Sequence, residues 1–293
     1  MVLYSLLLHS FAASNTTDVG ALSLYSGLSM SHWSTYESKG QESPLPGSFS
    51  RVISYSQYST GLSEKIDITV SLPLYYSYTS GGFPDTKTFA STFRPGSIAV
   101  SSNLSVLDAE EGKPFSLGAT MAFRSGRLHD DVKSRLTSAG EGTRDVGMGI
   151  YLSRFLSISS VSLGLKARGN YWLRSPIDSD VDPQYPGDDI TYGTSVFIGF
   201  PETRYSFELF MDGYNRISGV DYPIASEANI QREQQWTALR VAQTKLGLSS
   251  YISVSSNISA HLYGAYSVAA KNNPIDEMVL GAGFSFYKAK EKE

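Results

Sequence analysis

The stretch "KIDITVSLPLYYSY", residues 65 to 78, constrains the fold more than any other feature of the chain. Ile66, Ile68, Val70, Leu72, Leu74, Tyr76 and Tyr78 fall on one side, and Lys65, Asp67, Thr69, Ser71, Tyr75 and Ser77 on the other. A period of two is the signature of a β-strand, whose successive side chains point to opposite faces. The run is longer than the usual soluble strand of about 5 to 6 residues. Its apolar face also ends in tyrosines, which a dry core does not require.

The same alternation returns along the chain. "PFSLGATMAF" sets Phe115, Leu117, Ala119, Met121 and Phe123 against Ser116, Gly118, Thr120 and Arg124. "DVGMGIYLS" carries Val146, Met148, Ile150 and Leu152 on one face, and "VSLGLKARGNYWL" opposes Val161, Leu163, Leu165, Ala167 and Tyr171 to Lys166, Arg168 and Asn170. "ITYGTSVFIGF" and "RYSFELFMDGY" flank a tight turn at Pro201, Glu202 and Thr203, and "NISAHLYGAYSV" and "EMVLGAGFSFY" close the chain. Connections alternate long (near 37–46, 80–96, 126–143, 174–189 and 216–235) and short (near 60–64, 108–113, 156–158, 201–203 and 254–256). Loops sorted by length onto two sides mark an outer-membrane barrel. The pattern predicts an all-β chain: a transmembrane antiparallel up-and-down barrel of about twelve strands, with short periplasmic turns and long extracellular loops. A soluble sandwich or propeller would need an apolar partner for every sheet and gives no reason for the sorting.

Composition agrees with lipid on one face and a polar lumen on the other. Of 293 residues, 41% are hydrophobic and only 18% charged, against a typical charged share of about 25%. The net charge of −4 gives no basic footprint for nucleic acid. With no cysteine, disulfides, thiolate metal sites and cysteine nucleophiles are excluded. No run of about 18 apolar residues forms a transmembrane helix. Aromatic residues collect at strand ends (Trp33, Tyr75, Tyr76, Tyr78, Tyr171, Trp172, Phe200, Tyr205, Tyr214, Trp236, Phe286 and Tyr287), as girdles at the two interfaces would.

The domain reading has three parts. Residues 1–17, "MVLYSLLLHSFAASNTT", resemble a secretory signal with an apolar stretch and a small-residue exit, without the basic n-region; the alternative is an ordered plug or first strand. Residues 18–287 form the barrel and 288–293 a charged tail.

The segment "GEGTRDVGMGIYLSRFLSISSVSLGLKARGNYW", 140 to 172, resembles the family of outer-membrane barrels assigned to transport in the MetA pathway of phenol degradation. A glycine-rich loop, a strand of the Asp-Val-Gly-Met-Gly type, a tight turn and the later hairpin "GFPETRYSFELFMDGY" carry the likeness, which spans about residues 97 to 287. The closing "KAKEKE" departs from the aromatic strand on which such barrels finish. The resemblance implies passive or facilitated uptake of small molecules, aromatic ones among them; separately, no enzymatic activity and no cofactor is expected.

Parity then names a lumen. Ile68, Val70, Leu72, Met121, Ile150, Leu163 and Leu280 are expected against lipid. Lys166 and Arg168 on one strand and Glu208 and Asp212 on another are expected inward, separated by a strand that offers only Thr191, Gly193 and Ser195. Strands two apart lie about 9.5 Å from each other, so Arg168 or Lys166 is expected to meet Glu208 across it. Lys65 and Asp67 are placed lower on another wall and Arg124 toward the outer mouth. These seven are the candidate selectivity residues.

Other constellations are weaker. "DSDVD", Asp178 to Asp182, has oxygens at calcium-loop spacing, but Pro183 stands where an EF-hand loop needs glycine. His129, Asp130 and Asp131 in "LHDDVK" are read as a loop and not a metal site, and His261 as a lumen lining residue. His32, among serines in "SMSHWS", is the one handle for a lipid hydrolase, which would need a serine in reach and an orienting group. The expected function is a channel; a sealed structural or docking barrel is the alternative. Expected partners are the lipid bilayer, lipopolysaccharide, a small-molecule solute and a protein at the extracellular loops.

Overall fold

The computed structural model describes residues 19–38, 41–80, 89–108, 114–125, 144–158, 160–174, 187–200, 202–217, 241–271 and 273–289. The candidate signal, Asp178 to Asp182, His129 to Asp131, and Trp236 lie outside them.

The described residues form one closed antiparallel sheet and no helix. The strands are β1 (Leu22–Ser38), β2 (Gln41–Ser63), β3 (Ile66–Ser80), β4 (Phe89–Pro95), β5 (Ala99–Leu107), β6 (Ser116–Arg124), β7 (Asp145–Ile158), β8 (Val161–Arg174), β9 (Asp189–Gly199), β10 (Tyr205–Arg216), β11 (Ala242–Ser253), β12 (Ile258–Lys271), β13 (Asn273–Pro274) and β14 (Met278–Lys288). β1 to β3 and β5 to β12 pair in sequence order, β12 pairs with β14, and β1 pairs with both β2 and β14, which closes the ring. β4 and β5 both pair with β3 and are two halves of one stave interrupted at Gly96, while β13 prolongs β14 along β1. The barrel therefore has twelve staves, and closure gives each stave a partner on both sides along its membrane-spanning part.

Period two decides which way each side chain faces. Along β3 the exposed set is Leu72, Leu74, Tyr76 and Tyr78, and the buried set is Asp67, Thr69, Ser71, Tyr75 and Ser77. The exterior carries Met121 at 63% exposure and Ile150 at 65%, with Leu72 and Leu280 also exposed. Such residues occur on stave after stave, including Leu28, Leu209, Leu248 and Leu262. An apolar surface of that extent around a closed barrel needs lipid, because water-exposed patches on soluble monomers seldom exceed a few hundred Å².

Three expectations are corrected. The long loop placed at 37–46 is largely strand: β1 and β2 continue their pairing to Ser38↔Gln41, across a register shift between Trp33 and Thr35. Part of the loop at 80–96 is β4, which pairs with β3 from Leu74 to Ser80. With 17 and 23 residues, β1 and β2 overshoot the strands of 9 to 14 residues opposite, so the wall is taller on this side of the long-loop end. The third correction concerns the girdle. Tyr76, Tyr78, Phe200 and Tyr205 do point outward, but Trp33, Tyr75, Trp172 and Tyr214 are buried in the lumen. Parity, not proximity to a strand end, settles their direction.

Candidate functional site: the barrel lumen

The inner wall is polar, charged and aromatic, and its register sorts these groups by depth. Near the long-loop mouth an alternating row of charges crosses five consecutive staves. Arg124 on β6 lies directly opposite Asp145 on β7, with Nη2 to Oδ2 at 3.2 Å. Asp145 faces Arg174 on β8, whose guanidinium then reaches Asp189 on β9 at 3.5 Å. Asp189, fully buried, takes the guanidinium of Arg216 on β10 at 2.8 Å. Trp172 stacks against Arg124, with the guanidinium carbon 3.9 Å from a ring centre. On the opposite wall Arg51 of β2 sits between the rings of Trp33 and Tyr75 and donates to Ser77. Groups desolvated to this degree are stable as charges only because each is paired.

A second row lies beneath. Arg168 on β8 reaches Asp212 on β10 at 2.9 Å, across Gly193 of β9. A Cβ at position 193 would run into both the Asp212 carboxylate and the Arg168 guanidinium, so the strand between them must be bare at that point. Asp212 is opposite Lys245 of β11 in register, and Lys245 pairs with Glu277 at 2.8 Å. The bridge across the small-residue strand thus has Asp212 as the partner of Arg168, while of the two bases expected to meet Glu208 it is Lys166 that interacts with it electrostatically. Glu208 accepts the Tyr251 hydroxyl at 2.6 Å. Asp67 accepts from Asn103, which accepts from Thr120 in turn. Lys65 is not in the wall: it occupies the short β2–β3 turn and is exposed. Lys166 extends over Phe155, with Nζ 5.5 Å from the ring centre.

The third layer, toward the short turns, is an arc of rings. Phe155, Phe197, Tyr251, His261, Tyr25 and Tyr55 follow one another with centroid spacings of 6.4, 6.4, 5.7, 4.9 and 5.0 Å across β7, β9, β11, β12, β1 and β2. The Tyr25 hydroxyl meets both the Tyr55 hydroxyl and Nε2 of His261. Most large inward rings face a glycine directly across the pair: Tyr55 over Gly27, Tyr151 over Gly118, Trp172 over Gly147, Phe210 over Gly247 and Tyr263 over Gly281. A side chain at Gly118, Gly147, Gly247 or Gly281 would collide with the facing ring, and one at Gly27 would crowd the Tyr55 ring and run into the Tyr25 hydroxyl. The rings therefore lie along the wall instead of pointing across the lumen.

Several of these groups, Arg51, Asp145, Arg174, Asp189, Arg216, Lys245 and Glu277, were missed by sequence reasoning. Arg174, Asp189 and Arg216 stand at strand–loop junctions that turn chemistry assigned to loops, and Asp145 opens a strand whose inward face was not counted back to it. Extending strand parity by one or two residues, with an acid facing a base, was the signal for them. Of the acidic run near 174–189, Asp188 accepts the Tyr171 hydroxyl at 2.6 Å. No group of three or more His, Cys, Asp or Glu among the described residues could hold a metal ion.

His32 does meet a serine: Nδ1 lies 2.9 Å from Ser50 Oγ, on the outward face. The dyad lies flat on two strands each paired on both sides, so their backbone N–H groups serve the sheet and are not free to form an oxyanion hole.

No family model and no curated protein matches the chain. Its fold is similar to the COG4313 outer membrane channel from Pseudomonas putida F1, with a TM-score of 0.70 at 11% identity over 93% of this chain and 97% of that one. The transport unit of the autotransporter AIDA-I from Escherichia coli gives a TM-score of 0.50 at 10% identity over 98% and 97%. The chain has an outer-membrane barrel fold. Closed staves with an apolar exterior and a charged lumen place it in the bacterial outer membrane.

Proposed function

We propose that this barrel is a channel for the passive or facilitated passage of small molecules, aromatic ones among them, through the outer membrane. The layering of the lumen carries the reading: paired charges at the mouth, then an arc of rings laid flat against the wall by facing glycines. Such an arc offers an apolar solute successive faces, and its hydroxyls and imidazole offer hydrogen bonds. The similarly folded Pseudomonas putida protein is an outer membrane channel, which supports the same role here.

In this reading residues 18–287 are the transporting unit, residues 1–17 a leader, and lipopolysaccharide surrounds the tall wall. Arg124, Lys166, Arg168, Glu208, Asp212 and Asp67 bias which polar groups pass; Lys65, in its exposed turn, contributes only to the field at the short-turn mouth. Replacing Arg168 by Glu puts a carboxylate beside Asp212, and the reversal potential in a salt gradient should move toward cations. An unchanged potential in a conducting barrel would remove Arg168 from the filter.

The deep burial of the mouth charges favours a second reading, a sealed structural barrel. Twelve staves fall between the small barrels filled by side chains and the porins that hold open water. Planar-bilayer conductance and liposome swelling separate the two: flux supports the channel, and its absence in both assays supports the sealed barrel.

A further inference from the structure

Residues 273–277, between β12 and β14, form a strap along β1 at the long-loop mouth, with the Asn273 and Glu277 side chains turned to the lumen. One edge is tied to β1. Pro274 and Asn273 pair with Tyr36 and Glu37, and the Ile275 amide donates to the Thr35 carbonyl at 3.2 Å. The Asp276 carboxylate accepts the Ser34 amide and hydroxyl and the Thr35 amide, at 2.7 to 3.1 Å. The other edge is held by residues that parity points into the lumen from the neighbouring staves. The Asn273 side-chain amide donates to the Tyr214 hydroxyl on β10. Gln243 of β11 donates to the Pro274 carbonyl and the Glu277 carboxylate, both at 2.9 Å, and Lys245 of β11 pairs with Glu277 at 2.8 Å. Ser267 of β12 donates its amide to the Glu277 carbonyl.

These contacts run from β1 past β14, β12 and β11 to β10, five of the twelve staves. Asn273 and Glu277 are almost fully buried although they sit at the mouth. A loop that merely capped the hairpin would project to solvent and would not bury an asparagine and a glutamate against lumen side chains. We propose that the strap is the constriction of this channel, setting the largest solute that enters, and that the Glu277–Lys245 pair with the Asn273–Tyr214 bond is the latch that keeps it inward. The proposal rests on the channel reading. It also ties the constriction to the lumen charges, because Lys245 stands opposite Asp212, the partner of Arg168.

The absence of cysteine allows a test that does not need conduction. A single Ser195→Cys probe lies on the β9 inner wall, only half-buried, two residues on the short-turn side of Gly193. Its modification by membrane-impermeant thiol reagents of increasing size, added from the long-loop side, is compared in three backgrounds: otherwise wild type, Glu277→Gln, and Asn273→Ala with Glu277→Gln. Heat-modifiable migration on gels confirms that each is folded. Release of the latch should raise the labelling rate at least tenfold for the larger reagents, leave the smallest nearly unchanged, and increase unitary conductance. Equal size dependence in the three backgrounds would overturn the constriction. Labelling that responds to the latch in a barrel without conductance or solute flux would leave the strap standing and reject the channel.

Discussion

A single carboxylate at the mouth shows how much one residue can fasten. Asp276 is partly buried, which alone would raise its pKa, but the hydroxyl and amide of Ser34 and the amide of Thr35 more than offset this and hold it below the usual carboxylate value. A carboxyl whose folded pKa is depressed contributes stability that is complete above the unfolded value, about 3.9, and lost as pH falls through the folded one. The strap's anchor on β1 should therefore be intact at neutral and mildly acidic pH and released only below the ordinary carboxylate range. Hydrogen exchange at the Ser34 and Thr35 amides checks this: protection should fall at low pH, and Asp276→Asn should weaken it at every pH. Protection independent of both pH and the substitution would show that the backbone pairing holds β1 alone.

The same residue scale explains what was legible in the sequence. Asp67, Arg124, Arg168, Glu208 and Asp212 could be turned inward by counting in twos from the apolar residues beside them, and all five side chains are buried or partly buried on the inner wall. Counting in twos gives direction but not partner. Arg168 was equally free to reach either acid of β10 until the register set Gly193 level with both Arg168 and Asp212. Lys65 had the right parity and still lies outside the wall, because the chain turns at Glu64 and Lys65 before β3 begins.

At the scale of paired strands, the rule of the inner wall is a ring opposite a glycine. Tyr263 on β12 and Gly281 on β14 are the clearest case, with the ring lying where a side chain at 281 would have to go. Gly281→Val should displace Tyr263, disturb the Tyr55–His261 cluster beside it and lower the temperature at which the barrel converts on gels. Removing the ring as well, in Gly281→Val with Tyr263→Ala, should return part of that loss. A double-mutant cycle isolates the pair: coupling between contacting residues is commonly about 0.5 to 3 kcal/mol. Strictly additive losses would mean that the glycine serves the backbone and not the ring. This pairing also shows where strand-by-strand reading stops. Trp33, Trp172 and Tyr214 looked like interface aromatics on their own strands, and only the cross-strand register sets Trp172 over Gly147.

The molecule as a whole is organised by lipid. Staves such as β6, with 9 residues, and β9, with 11, suit a tilted transmembrane strand of about 9 to 11 residues. The taller β1–β2 hairpin rises past this height on one side, which no alternation pattern announced because it continues polar beyond the apolar stretch. A membrane belt differs from a soluble core in its dependence on depth. Ile150 sits mid-way along β7 at 65% exposure, and Ile158 ends the same strand at 62%. In water, two equally exposed isoleucines would tolerate arginine equally well. In a bilayer, arginine at the midplane costs about 2 to 4 kcal/mol, falling to about 0 to 1 near the interface, where the side chain can snorkel to water. Ile150→Arg should thus lower the stability of the bilayer-folded barrel by that larger amount in reversible urea unfolding, and Ile158→Arg by little. Equal costs at the two positions would mean that β7 does not cross the hydrocarbon at the height its apolar face implies.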